Sequence, residues 1–182
     1  MLKADENPPI ISPNAESVRD FTGQWWVAHV KSRNEKALAH DLIRRNINYF
    51  LPMSWKVRRQ SRRIIKSLIP LFSGYLFFCG DDDQRVELLR TNRVAGLIDV
   101  NDQKTLVTEL TQIEGALRAG ATLTPYNYVK IGQRCRIIAG PLCGLVGIVI
   151  RSGNSARLLL QVDILGQAAA VEIDVDMIEQ ID

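Results

Sequence analysis

The chain has 182 residues, 46% of them hydrophobic and 24% charged, with a formal net charge of +3; that is enough for one medium domain or two small ones. No apolar run approaches the roughly 20 residues of a membrane-spanning helix, and residues 1–22 lack the basic start and apolar centre of a secretory signal. Three cysteines, Cys79, Cys135 and Cys143, are too sparse for a disulfide framework, so the reducing cytoplasm is the expected setting; the chain is expected to be a monomer.

Charge is unevenly spread. Residues 1–125 hold 18 Lys and Arg against 14 Asp and Glu, whereas residues 126–182 hold 5 against 6. Between Lys56 and Lys66 lie six basic residues (Lys56, Arg58, Arg59, Arg62, Arg63, Lys66) and no acid. Such a run attracts phosphate or an acidic protein surface, or it is a solvated hairpin loop.

In chain order, residues 1–22 carry Pro8, Pro9 and Pro13 among polar residues and read as a disordered tail. Trp25–Val30 is a β-prone apolar run and predicts a strand. Ser32 or Asn34 can cap the helix that follows, in which Leu38, Leu42 and Ile43 recur at helical spacing. Tyr49–Pro52 begins a second strand that runs into the basic segment. Ile64–Cys79 reads as a third strand, interrupted at Pro70 and at Ser73-Gly74. Gly80–Asp83 reads as a turn, Arg85–Arg90 as a short helix and Val94–Val100 as a fourth strand. Thr105–Arg118 is helical again, with Leu106, Leu110, Ile113 and Leu117 on one face. This order predicts an α+β layer, an antiparallel four-stranded sheet with flanking helices, over residues 23–119.

Residues 120–127 read as a linker. Beyond it, from 128 to 182, glycines at 132, 140, 144, 147, 153 and 166 separate short β-rich runs. About five such strands predict a small closed barrel. Val146–Ile150 is β-branched around a glycine and makes a poor helix. Ala170–Asp176 alternates apolar and acidic residues, as a half-buried strand does.

Two segments carry a family resemblance. Trp25–Phe78 resembles the N-terminal domain of NusG-type transcription factors, through Phe50-Leu51-Pro52-Met53 and Pro70-Leu71-Phe72-Ser73-Gly74-Tyr75-Leu76-Phe77. Gly132–Ile173 resembles a KOW motif, an SH3-like five-stranded barrel, through Gly140-Pro141-Leu142-Cys143-Gly144-Leu145-Val146-Gly147 and Ile164-Leu165-Gly166. Together they imply a non-enzymatic factor that elongates with RNA polymerase. The resemblance implies docking on the clamp helices of the largest polymerase subunit through Pro70, Leu71, Phe72 and Tyr75. It implies contact of Lys31, Lys36, Arg44 and Arg45 with the displaced non-template DNA strand, as in the specialised RfaH-like branch. It implies that the barrel recruits either Rho or a small-subunit ribosomal protein through Leu142, Leu145, Ile164 and Leu165.

The pattern also departs from its relatives. Asp41 stands where the RfaH-like branch has histidine, and Asp83-Gln84-Arg85-Val86-Glu87 replaces that branch's His-Thr-Thr-Thr stretch. Leu142 and Leu165 stand where NusG has aromatics, which is closer to the specialised paralogues that control long operons. Two lone histidines, unpaired cysteines and the lack of a phosphate loop point away from catalysis, a metal or a cofactor. The competing reading is a ribosome-associated RNA-binding KOW protein, which accounts for the barrel and basic run but not for Pro70–Phe77.

Overall fold

The computed structural model describes residues 7–13, 15–60, 63–127, 132–152 and 155–181. The chain divides into two compact units, Met1–Gln103 and Lys104–Asp182.

The first unit is built on a four-stranded antiparallel sheet in the order β2-β5-β1-β6. Its strands are β1 (Gln24–Val30), β2 (Asn48–Phe50), β5 (Tyr75–Gly80) and β6 (Val94–Asp99). The central pair runs Trp26↔Phe78 and Val27↔Phe77 in register. Both faces of this pair are buried: Trp25, Trp26, Val27, Ala28, Leu76, Phe77, Phe78 and Cys79 are all at most 3% exposed. That is why the two strands read as unbroken apolar runs rather than as alternating ones. On one face Trp26 stacks on Phe78, with centroids 5.1 Å apart. Against that face pack Leu38, Ala39 and Leu42 of α1 (Glu35–Arg44) and Leu88 of α2 (Asp82–Arg90). The expected helical stripe on α1 is therefore its core face.

Four sequence expectations change here. The residues before β1 are not a loose tail from Asn7 onward. Ile11 bridges Phe50, Ser12 N–H donates to the Tyr49 carbonyl, and the Tyr49 hydroxyl donates to the Pro9 carbonyl at 2.9 Å. These backbone bonds extend the sheet beyond its β2 edge, which polar composition alone does not reveal. The single strand expected over Ile64–Cys79 is two strands, β4 (Arg63–Pro70) and β5, separated by a tight turn at Gly74, where φ is +83°. The basic segment is not a loop: β3 (Met53–Gln60) and β4 form a separate two-stranded ribbon over eight residue pairs. Arg62 lies outside the described residues. Finally, α2 starts at Asp82, because Asp81 and Gln84 close a reciprocal capping box. The Asp-x-x-Gln spacing marks this helix start in the sequence.

The second unit holds α3 (Gln103–Arg118, from its second residue) and a six-stranded antiparallel sheet in the order β12-β8-β9-β10-β11-β7. The strands are β7 (Thr124–Asn127), β8 (Gln133–Ile137), β9 (Val146–Ser152), β10 (Ser155–Val162), β11 (Gln167–Ile173) and β12 (Ile178–Gln180). The segment is β, as its glycine and β-branched pattern predicts, but with six strands instead of five. The extra one is the second half of the expected linker, which pairs from Thr124↔Ala170 to Asn127↔Gln167. The boundary also shifts. Helix α3 groups with this unit: Gln112 Oε1 accepts from Val146 N–H at 3.0 Å and Glu109 Oε1 from Asp163 N–H at 3.1 Å. Leu158, Leu159, Leu160, Val162 and Ala168–Ala170 are buried in this unit, with Leu159, Ala168 and Ala170 packed together in its core. Gly147 faces the Leu159 carbonyl so closely that an added Cβ would sit 2.3 Å from the oxygen.

Candidate functional site

The turn between β4 and β5 is held from both sides. Gly74 N–H donates to the buried Glu35 carboxylate at 2.8 Å, and the Gly74 carbonyl accepts from Val30 N–H at 2.7 Å. Tyr75 N–H closes the turn onto the Phe72 carbonyl at 3.1 Å, and Leu71 N–H donates to the Pro52 carbonyl at 2.8 Å. The first turn of α1, the end of β1 and the Phe50–Met53 step thus all fix this short segment.

The four residues expected to share an exposed docking patch do not share one exposure. Phe72 and Leu71 are each 1% exposed, and the Phe72 ring meets Phe77 edge-on at 6.1 Å. Phe72, expected among the docking residues, is instead a core residue: the bend at Gly74 turns its ring inward onto Phe77. Pro70 and Tyr75 remain half-buried. Tyr75 stacks on the exposed His29 at 5.4 Å, a cross-strand pair in register. His29 alternates with buried Ala28 and Val30 along β1, which turns it outward beside Tyr75.

The basic residues of α1 and its approach are already engaged. Lys31 Nζ donates to both the carbonyl and side-chain oxygen of Asn92 at 2.8 Å. Lys36 Nζ donates to the Leu68 carbonyl and to Asn7 Oδ1 at 2.5 Å; burial lowers its pKa below the ordinary lysine value, opposed by Glu35 beside it. Arg44 pairs with the buried Asp41, which also accepts from Arg93 Nε at 2.6 Å. Arg45 lies 3.6 Å from Glu87. Lys31, Arg44 and Arg45 are exposed, whereas Lys36 is half-buried under the ribbon and separate from them. Asn34 caps α1 by position, but its side chain serves Ser32 and Arg93 rather than the helix amides.

In the second unit, Leu142 lines a cavity of about 120 Å³ with Ile137, Pro141, Ile173, Met177 and Ile178. Leu145, Ile164 and Leu165 do not line it. Leu145 sits against Gly115 of α3, and Ile164 and Leu165 are half-buried on the 3-10 turn Asp163–Leu165. The four expected residues are therefore not one groove. Ile173, which joins Leu142, belongs to the alternating run Ala170–Asp176 and was legible there; Ile178, on β12, was not. Met177, 40% exposed, carried no signal. Among the described residues no group of three or more His, Cys, Asp or Glu can hold a metal ion, and no helix is long and apolar enough to cross a membrane.

The family model described as transcription termination factor nusG matches residues 23–115, from the start of β1 through most of α3 and just over half of the chain. The chain belongs to the NusG family. That places it among transcription elongation factors rather than enzymes. The matched span contains the whole four-stranded sheet, the β3–β4 ribbon and the Glu35–Gly74 turn; residues 1–22 and the barrel strands fall outside it. No curated protein sequence matches the chain. Among solved structures, Thermotoga maritima NusG, in a structure titled for its domain interaction, aligns at 20% identity. The alignment covers 87% of this chain and 97% of that one, with a TM-score of 0.48. An MjSpt4:Spt5 complex aligns at 16% identity over 87% and 97% of the two chains, with a TM-score of 0.27.

Proposed function

We propose that this NusG-family chain docks on RNA polymerase through its N-terminal domain, suppresses pausing and termination, and recruits a partner through its KOW barrel as a specialised antiterminator of particular operons in the cytoplasm. The observation that carries this reading is the family match over the entire N-terminal sheet, followed in the same chain by a small β-unit with the KOW sequence pattern. Polymerase is met on the clamp helices of its largest subunit by Tyr75, Pro70 and the stacked His29. Phe72 and Leu71 support that surface from beneath, where a packed aromatic makes the turn stiff. Rigid aromatic anchors on a pre-set turn suit an interface, because little side-chain entropy is lost on binding.

Exposed Lys31, Arg44 and Arg45 contact the displaced non-template strand; the hydrogen bonds of Lys31 to Asn92 and of Arg44 to Asp41, and the Arg45–Glu87 ion pair, orient them and temper their charge. The barrel partner, a small-subunit ribosomal protein or Rho, inserts an apolar side chain between Leu142 and Met177, with half-buried Ile164 and Leu165 as a second contact. The leucines at 142 and 165 in place of aromatics support the specialised role.

Single-round transcription by purified RNA polymerase tests the proposal. Adding the full chain is expected to raise read-through at pause and terminator sites, and Tyr75→Ala to abolish the rise. Unchanged read-through at saturating protein contradicts it.

A further inference from the structure

Beyond the Met53–Pro70 pair at its base, the β3–β4 ribbon carries a face that neither polymerase docking nor the barrel uses. Between Leu42 and Gly80 the sequence contains eight basic residues and no Asp or Glu. Strand alternation puts Trp55, Val57 and Arg59 of β3 on the same face as Leu68, Lys66 and Ile64 of β4, for the register pairs Trp55↔Leu68, Val57↔Lys66 and Arg59↔Ile64. Each of the last two pairs sets an aliphatic side chain directly opposite a cation. The apolar members stand open: Trp55 is 53%, Val57 59% and Ile64 64% exposed. Arg59 and Lys66 are exposed as well. A soluble protein ordinarily places polar residues on a ribbon that stands outside its main sheet.

We propose that this face is a binding site for single-stranded nucleic acid. The charge decides the class of partner: an acid-free cationic strip attracts a polyanion, and the two cations flank the apolar row where a phosphate backbone would run. The indole decides the strandedness. A base can stack on Trp55 only when its face is free, which a duplex denies and a single strand offers. Val57 and Ile64 extend the shelf beside the indole for the neighbouring base or sugar. The site is distinct from Lys31, Arg44 and Arg45 on α1 and its approach, and it requires no polymerase.

Tryptophan fluorescence reads this contact directly, because Trp25 and Trp26 are each 3% exposed and only Trp55 of the three is open to a stacking base. The full chain is titrated with a labelled mixed-sequence oligonucleotide of about 12 nucleotides as DNA, as RNA and as a DNA duplex. The expected result is saturable binding of one or both single strands, with quenching of the exposed tryptophan signal and weaker binding of the duplex. The DNA and RNA arms show which strand is preferred. Trp55→Ala is expected to weaken binding about tenfold or more, and Trp55→Phe to keep most of it without the quench. Lys66→Ala is expected to lower the log–log salt slope by about 0.7. Far-UV circular dichroism checks that each variant keeps its fold. Four results overturn the proposal: binding without quenching, no binding at low salt, parent-like affinity in folded Trp55→Ala, or displacement by poly-glutamate as effective as by the unlabelled oligonucleotide. The last outcome would make the face an acidic-protein site.

Discussion

The Glu35 carboxylate, in the first turn of α1, accepts the backbone N–H of Gly74 at 2.8 Å across 39 residues of sequence. A buried charged acceptor thereby fixes the turn that sets Phe72 inward and Tyr75 outward. Glu35→Ala leaves that amide without this acceptor in a partly buried place. A loss of about 1.5–3 kcal/mol is expected, the range for hydrogen bonds to charged groups. Urea unfolding measures it; a loss below about 0.5 kcal/mol would show that the turn holds itself.

Phe72 and Tyr75 are expected to separate stability from binding. Phe72→Ala removes a ring packed against Phe77 and should cost about 3–5 kcal/mol of stability. Tyr75→Ala, at a half-exposed ring, should cost far less stability yet weaken polymerase affinity by roughly 1–4 kcal/mol. Chemical denaturation and a binding titration on the same two variants check this. Equal stability losses would contradict the assigned exposures.

Gly147→Ala is expected to destabilise the barrel by about 1–3 kcal/mol or more, as overpacking does, because the new Cβ would meet the Leu159 carbonyl oxygen at 2.3 Å. In Gly74→Ala the new Cβ would make only ordinary van der Waals contacts, with His29 and the Val30 carbonyl at 3.9 Å, so only the positive φ of +83° opposes it, at about 1–2 kcal/mol. Amide NMR separates the two: barrel resonances move in Gly147→Ala, and Val30, Glu35 and Tyr75 resonances move in Gly74→Ala.

The thiols differ by burial. Cys143 is exposed, whereas Cys79 and Cys135 are buried, and burial pushes the Cys79 thiol up to about 11. A thiol reagent at neutral pH is expected to modify one cysteine in the native chain and all three after unfolding. The raised Cys79 pKa also sets a sign. Below the unfolded value of 9 the thiol is neutral in both states, so its contribution is fully present. From pH 9 to about 11 the unfolded chain ionises first, and stability falls. Cys79→Ala should flatten that part of the pH–stability curve.

Most of the architecture was readable because local pattern and tertiary context agreed. Leu38 and Leu42 gave α1, the apolar runs at Trp25 and Leu76 gave the central strands, and Val146–Ile150 announced β structure. What escaped was set by long-range backbone bonds or by turn geometry. The Ile11–Phe50 bridge anchors a polar, proline-rich segment that nothing local marks as ordered. Thr124–Asn127 becomes a strand only because β11 offers a free edge. The site was half legible: the motif located the Gly74 turn, but which of Phe72 and Tyr75 faces out follows from the bend itself. The acid-free segment was visible as charge; that it folds as a ribbon with Trp55, Val57 and Ile64 in the open was not.

The central claim is tested most directly by presenting the labelled full chain with purified RNA polymerase elongation complexes and purified ribosomes in one competitive sedimentation experiment. Saturable partition to the elongation complex, lost in Tyr75→Ala, is the predicted result. Partition to ribosomes, insensitive to Tyr75→Ala, would contradict it.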